Sequence, residues 1–117
     1  MALTVLIVDD HPGFRRVARE ILEADGYLVI AESATGGEAL EAAARVRPAV
    51  VLLDIGLPDI DGIEVAGLLT AADEDRPVIL ISSRDAADYA PLLAKCGARG
   101  FIPKDELCGD AVAALAA

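Results

Sequence analysis

The chain has no tryptophan, and only two phenylalanines and two tyrosines among 117 residues. Apolar residues still make up 55% of it, so its core has to be assembled from Val, Ile, Leu and Ala. Stacking aromatics of the kind a flavin site wants are too few. Basic residues are scarce as well: ten Lys plus Arg stand against twenty Asp plus Glu, a net charge of −10. This balance argues against direct nucleic-acid binding, which needs a basic footprint to displace counterions from phosphates. Cys96 and Cys108 are the only cysteines. Without metal-ligand spacing or a secretory signal they read as reduced thiols of a cytoplasmic protein. Cys96 lies in an apolar helical pattern and suits a small core position. No run approaches the ~18 apolar residues of a membrane-spanning helix, and the apolar start, LTVLIV, is too short for a signal peptide. There is no repeat, low-complexity tract or linker, and the length fits one domain over residues 1–117.

What is present is an alternation of short apolar runs with longer segments of helical period. Leu3–Val8 is the first strand, closed by Asp9 and Asp10. Pro12 suits the first turn of a helix, whose apolar stripe is Phe14, Val17, Ala18, Ile21 and Leu22, with Gly26 as its stop. Tyr27–Ala31 is the second strand. Thr35 and Glu38 form a capping box for a helix that runs to about Arg47 and stops at Pro48. Ala49–Leu53 is the third strand, ending in Asp54. Asp61 and Glu64 form a second box, opening a helix through about Leu69. Val78–Ile81 is the fourth strand, ending at Ser82 and Ser83. A less regular helix starts after Asp88 or Ala90, since Pro91 would damage its interior, and runs to Cys96, with Gly97 as its stop. Gly100–Pro103 is the fifth strand, before Lys104, and a last Ala-rich helix starts from Asp105.

Five β-then-α units predict an α/β fold, a doubly wound parallel sheet with helices on both faces. Runs one, three and four are apolar almost throughout, as strands buried on both faces should be. Runs two and five are weaker and suit the edges, giving the order 2-1-3-4-5. In such sheets ligands bind beyond the carboxyl ends of the strands, where the strand order reverses. The residues ending strands one and three there are Asp9, Asp10 and Asp54; Ser82 ends strand four and Lys104 follows strand five.

Carboxylates gathered in one pocket repel, by roughly 4 kcal/mol for a pair ~4 Å apart at an effective dielectric of about 20. Magnesium offsets this well, since it takes oxygen ligands and bridges carboxylates to phosphate. Asp54 would then attack phosphorus to form an aspartyl phosphate. Asp9 and Asp10 would hold the metal, while Lys104 and Ser82 would neutralise phosphoryl oxygens. Each residue alone also has a plain role, as turn carboxylate, surface lysine or helix cap. The five together on one sheet edge carry the reading.

The stretches VLIVDD (Val5–Asp10), VVLLDIGLPDIDG (Val50–Gly62), PVILISS (Pro77–Ser83) and GARGFIPK (Gly97–Lys104) resemble the receiver domain of response regulators, with its flavodoxin-like, CheY-like (βα)5 fold. Asp9-Asp10-His11-Pro12 and Lys104-Asp105 look most like the NarL/FixJ (LuxR-type) subfamily. The resemblance implies that Asp54 is the phosphoacceptor, that Asp9 and Asp10 are the acidic metal pair, and that the Gly56 backbone carbonyl completes Mg2+ coordination. It makes Ser82 the switch hydroxyl, Lys104 the phosphoryl-pairing amine and Phe101 the aromatic rotamer switch. Gly56 and Arg84 occupy positions that tune the attacking water. Many receivers place Pro directly after the Lys; here Pro103 precedes it.

The function implied is a two-component signalling switch and not an enzyme acting on other substrates. A sensor histidine kinase would supply the phosphoryl group. The face formed by the fourth and fifth helices and the fifth strand would rearrange, and a homodimer would relay the signal. Subfamily members carry a C-terminal helix-turn-helix domain, so transcription regulation is the expected output and the effector would lie outside these residues. No membrane contact is expected. His11, the sole histidine, stands beside the acidic pair; a metal or relay role is the minor reading, because the donor histidine of this family belongs to the kinase. Three rivals remain. A phosphatase would want a second Asp where Gly56 stands, a flavin module would want aromatics and phosphate-cradling loops, and a degenerate receiver would act as a static interaction module.

Overall fold

Val5–Val8, Val50–Leu53 and Val78–Ile81 are all buried, and their strands fill the middle of the sheet as their unbroken apolar character requires. The computed structural model describes residues 3–83, 91 and 96–116. Its strands are β1 (Thr4–Val8), β2 (Leu28–Ser33), β3 (Val50–Asp54), β4 (Val78–Ser82) and β5 (Gly100–Pro103). They form one sheet in the order β2-β1-β3-β4-β5, parallel at every pairing. The described helices are α1 (Pro12–Ala24), α2 (Gly36–Val46), α3 (Gly62–Ala72) and, at the C-terminal end, α4 (Gly109–Ala116). The expected doubly wound α/β fold is present. The helix expected before Cys96 falls mainly on residues outside the described set, as does Arg84.

Alternation along each strand splits the core in two. Leu6, Val8, Val51, Leu53, Val78 and Leu80 pack with α2, α3 and Cys96 on one face. Val5, Ile7, Val50, Leu52, Ile79, Ile81 and Ile102 pack with Ala18 and Leu22 of α1 and Val112 of α4 on the other. Burying a side chain of this size contributes about 1.5–3 kcal/mol, so these two clusters form the platform on which a costly polar site can stand.

Local signals set most helix ends. Thr35 Oγ1 accepts from Glu38 N at 3.1 Å, while the Glu38 carboxylate accepts from Ala34 N at 3.0 Å. At α3 the Asp61 carboxylate accepts from Ile63 N at 2.8 Å, one position earlier than the box motif implies. Gly26 and Gly97 adopt φ of 92° and 79°, which only glycine takes at no steric cost.

Several boundaries differ from expectation. β2 continues to Ser33 and α3 to Ala72. Val17, placed in the α1 stripe, is 47% exposed; the buried positions are Ala18 and Leu22, four apart, and Val17 lies outside their face. The last helix starts at Gly109 and not at Asp105. Lys104–Glu106 form a 3-10 turn and Leu107 is extended and buried, so the chain is anchored before helix can begin.

Candidate functional site

Two crossovers bring the site together. β1 and β3 are adjacent, and their connections leave in opposite directions, opening a crevice at their carboxyl ends. Asp9 follows β1 directly, held by its amide donating to Ser33 O at 3.0 Å, and its side chain is fully buried. Asp54 is the last residue of β3 and only 4% exposed. Asp9, Asp10, His11 and Asp54 each offer a ligand atom within 4.8 Å of all the others.

Lys104 enters from the end of β5. Its Nζ lies 2.6 Å from Asp9 Oδ2 and 3.5 Å from Asp54 Oδ2, and 4.6 Å from the centre of the Phe14 ring. That ring face adds a cation–π attraction to a partly desolvated ammonium. The Asp9 contact is an ion pair without well-directed hydrogen bonding, and Asp10 Oδ1, also buried, accepts no hydrogen bond. A buried carboxylate oxygen without a donor, as Asp10 Oδ1 is, is what a cation would satisfy.

Burial pushes the Asp54 carboxyl above the ordinary carboxylate range, and the neighbouring Asp9 charge adds to this. Opposing it are the Gly56 N–H, which donates to Asp54 Oδ1 at 3.2 Å, and the Lys104 ammonium. Ser82 is buried at the end of β4, and with His11, Asp54, Gly56 and Lys104 it lines an open cleft of about 600 Å³.

The structure thus brings Asp9, Asp10, Asp54, Gly56, Ser82 and Lys104 to one place. Phe101 sits further along β5, half-buried and packed against the α2–α3 side of the core. Three residues join that sequence reasoning left aside or assigned only to packing. Phe14 lies beside the Lys104 amine. An Arg15 guanidinium N–H donates to the Asp9 carbonyl, and its Nε pairs with Glu32 at 3.1 Å. Asp59 accepts from Gly36 N at 2.7 Å and Gly37 N at 3.0 Å, tying the loop after β3 to the start of α2. Phe14 was within reach of inference, because the first turn of α1 begins at the same sheet edge. The contacts of Arg15 and Asp59 span elements and leave no periodic trace.

Gly62 shows how tightly the loop returns. Its N–H donates to Ile55 O at 3.0 Å, and a Cβ there would lie 2.5 Å from Asp54 O and from Ile55 Cα. Only a glycine lets the start of α3 approach the end of β3 this closely.

Comparison with known proteins agrees with this geometry. A transcriptional regulator assigned in Pseudomonas aeruginosa is 41% identical over 102 residues, covering 87% of this chain and 49% of that protein. The chain therefore spans about half the length of such a relative. A LuxR-family two-component response regulator from Aurantimonas superposes with a TM-score of 0.89 at 29% identity, over 99% of this chain and 86% of that one. The signal receiver domain of a Mycobacterium tuberculosis response regulator named NarL gives 0.88 at 32%, over 98% and 96%. Residues 5–116 match the response regulator receiver domain model, and the chain belongs to that family.

Proposed function

We propose that this receiver is switched by phosphorylation of Asp54 in a magnesium-dependent reaction with a partner histidine kinase. The carrying observation is a buried carboxylate at a strand end, with two further carboxylates within 4.8 Å and an ammonium 3.5 Å away. A bond forms between an Asp54 carboxylate oxygen and phosphorus as the bond from phosphorus to the donor breaks. Lys104 would leave Asp9 to neutralise one phosphoryl oxygen, and the Ser82 hydroxyl would donate to another. The donor set fits Mg2+: hard carboxylate oxygens, of which Asp10 Oδ1 is buried without a hydrogen bond, with Gly56 on the cleft lining, whose carbonyl would be a further oxygen. When bound, the ion neutralises charge on the incoming phosphoryl group.

Phosphorylation would add charge and acceptor oxygens at this edge. Ser82 would move toward them and Phe101 into the space vacated, shifting a population between two arrangements of the β5 face. Because the similar P. aeruginosa protein is about twice as long and carries the name of a transcriptional regulator, the output proposed is dimerisation that controls a DNA-binding domain elsewhere in the full-length protein. This domain itself makes no nucleic-acid contact in that scheme. Among the described residues no helix is long and apolar enough to cross a membrane, and the proposed place of action is the cytoplasm.

Intact mass after incubation with acetyl phosphate tests the reading. One added phosphoryl group is expected, dependent on Mg2+ and lost in Asp54→Ala. A folded protein that takes no adduct under fast trapping would instead be a static interaction module.

A further inference from the structure

We infer that Arg15 is a positioning residue for the acidic pair: its guanidinium fixes the peptide between Asp9 and Asp10, so that both carboxylates are aimed before any ion arrives. The inference rests on the Mg2+ reading proposed above. The chain leaves β1 with the Asp9 N–H donating to Ser33 O at 3.0 Å, and α1 opens with the His11 carbonyl accepting from Arg15 N at 3.1 Å. Between these two bonds stands the Asp9 carbonyl. Among the described residues it accepts from no main-chain amide, and the Arg15 guanidinium donates to it instead. This carbonyl belongs to the planar peptide that joins Asp9 to Asp10, so its direction sets how the two side chains leave the backbone.

The guanidinium has an anchor of its own. Arg15 Nε donates to Glu32 Oε1 at 3.1 Å, and Arg19 Nε donates to the other Glu32 oxygen at 2.8 Å. Arg19 also donates to the Val29 carbonyl at 3.2 Å and pairs with Glu23 at 3.5 Å. Two arginines one turn apart on α1 thus clamp one carboxylate of β2, and the Arg15 side chain is only 18% exposed. A planar fork serves Asp9 and Glu32 at once, whereas a lysine is a point charge on a flexible stem. Geometry and charge act in opposite directions here. A guanidinium beside a cation site repels the cation, so Arg15 favours Mg2+ only through the placement of its ligands.

Calorimetric titration of the full chain with Mg2+ tests this on wild type, Arg15→Met, Arg15→Lys and Arg19→Met, with a urea midpoint measured for each. Arg15→Met is expected to weaken Mg2+ by roughly tenfold, the scale on which loss of an outer partner acts on a metal site. By charge alone the same change would tighten it, so the sign separates the two effects. Arg15→Lys keeps the charge without the fork and should also bind Mg2+ more weakly than wild type. Arg19→Met removes an equal charge and a Glu32 bond but no contact with Asp9, and its Mg2+ affinity should stay within about twofold of wild type. Unchanged or tighter Mg2+ binding in Arg15→Met, or an equal loss in Arg19→Met, would overturn the assignment and leave Arg15 a strut between α1 and β2. Should Arg15→Met fail to fold, Arg15→Lys decides, and wild-type affinity there would overturn the assignment too. A wild type that neither binds Mg2+ nor takes a phosphoryl group would overturn the underlying reading, and this assignment with it.

Discussion

Replacing Asp54 by Asn should stabilise the fold at neutral pH, although it removes the group on which the proposed function depends. Two pairwise effects oppose each other. At an effective dielectric of about 20, Asp9 at no more than 4.8 Å repels the Asp54 charge by at least about 3 kcal/mol, and Lys104 at 3.5 Å attracts it by about 5. These nearly cancel, so desolvation of a carboxylate only 4% exposed, worth several kcal/mol for a buried ion, decides the sign. The direction agrees with the raised Asp54 pKa. In the variant Lys104 keeps its 2.6 Å contact with Asp9, and the Asn carbonyl can still accept from Gly56. A net gain of about 2 kcal/mol is expected; with a urea slope of roughly 1–3 kcal/mol/M, the midpoint should rise by about 1 M. Because the folded pKa lies above the unfolded one, the native state binds more protons, and wild type loses its handicap as pH falls. The gap should be full above the folded pKa and gone below the unfolded value of about 3.9. Mg2+ should narrow it at pH 7, stabilising wild type by about 1.4 kcal/mol at ten times its dissociation constant. Urea titrations at pH 7 and near pH 3.5 check this. A variant no more stable than wild type at pH 7, or a gap indifferent to pH, would refute the reasoning.

Other consequences can be measured alongside. Gly62→Ala forces a methyl against the Asp54 carbonyl and should cost about 1–3 kcal/mol by overpacking, with slower phosphorylation than an equally destabilised variant of the distant core. Asp59→Ala should lower the urea midpoint at pH 7. The two backbone amides of α2 hold that carboxyl below its usual range, so its contribution is present above the unfolded pKa and vanishes as pH falls through the folded one. Gly56 has open space around its Cα and offers no side chain to orient water. The phosphoryl group on Asp54 should therefore persist for minutes or longer, and an Asn at position 56 should change that lifetime while leaving stability within roughly 0.5 kcal/mol; decay within seconds in wild type would contradict it. Phosphorylated protein should show a larger oligomeric mass by light scattering than the Asp54→Asn variant.

The features legible in the residues were those with a local cause. Strands β1, β3 and β4 announced themselves because both their faces are buried, and the strand order then gathered Asp9, Asp54, Ser82 and Lys104 without any knowledge of side-chain placement. Thr35 and Asp61 were readable as caps because a cap bonds two or three residues ahead. Asp59, another loop aspartate, instead reaches 22 and 23 residues back to Gly37 and Gly36. Nothing in its neighbours distinguishes the two outcomes. The start of α4 was misplaced for a related reason: Asp105 is an acceptable helix beginning locally, but Leu107 is buried against the α1 side of the core and delays the helix to Gly109. The Arg15 bond to the Asp9 carbonyl depends on how β1 and α1 meet, a tertiary property with no sequence period.

The same accounting bears on the switch proposed for this pocket. Its carboxylates are held close by backbone geometry that the core dictates: β1 and β3 in register, Gly62 closing on Ile55, and Asp59 tying the loop to α2. They cannot relax apart without disturbing elements worth several kcal/mol of burial each. The repulsion is therefore retained in the protein and balanced, among the described residues, mainly by the Lys104 ammonium, which lies within reach of both Asp9 and Asp54. A single amine satisfying two carboxylates at 2.6 and 3.5 Å is poised between partners. In the proposed switch, a new negative charge on Asp54 would change which one it prefers, and with it the position of the residues following β5. Since Lys104 begins the 3-10 turn that delays α4, the charge at the pocket and the placement of the C-terminal helix are joined through four residues of chain. Substituting Lys104 with Ala should accordingly leave a buried carboxylate cluster unpaired and lower stability by about 3–5 kcal/mol at pH 7, and Mg2+ should recover part of that loss. A loss that Mg2+ leaves untouched would mean that the lysine supports packing against Phe14 more than it balances charge.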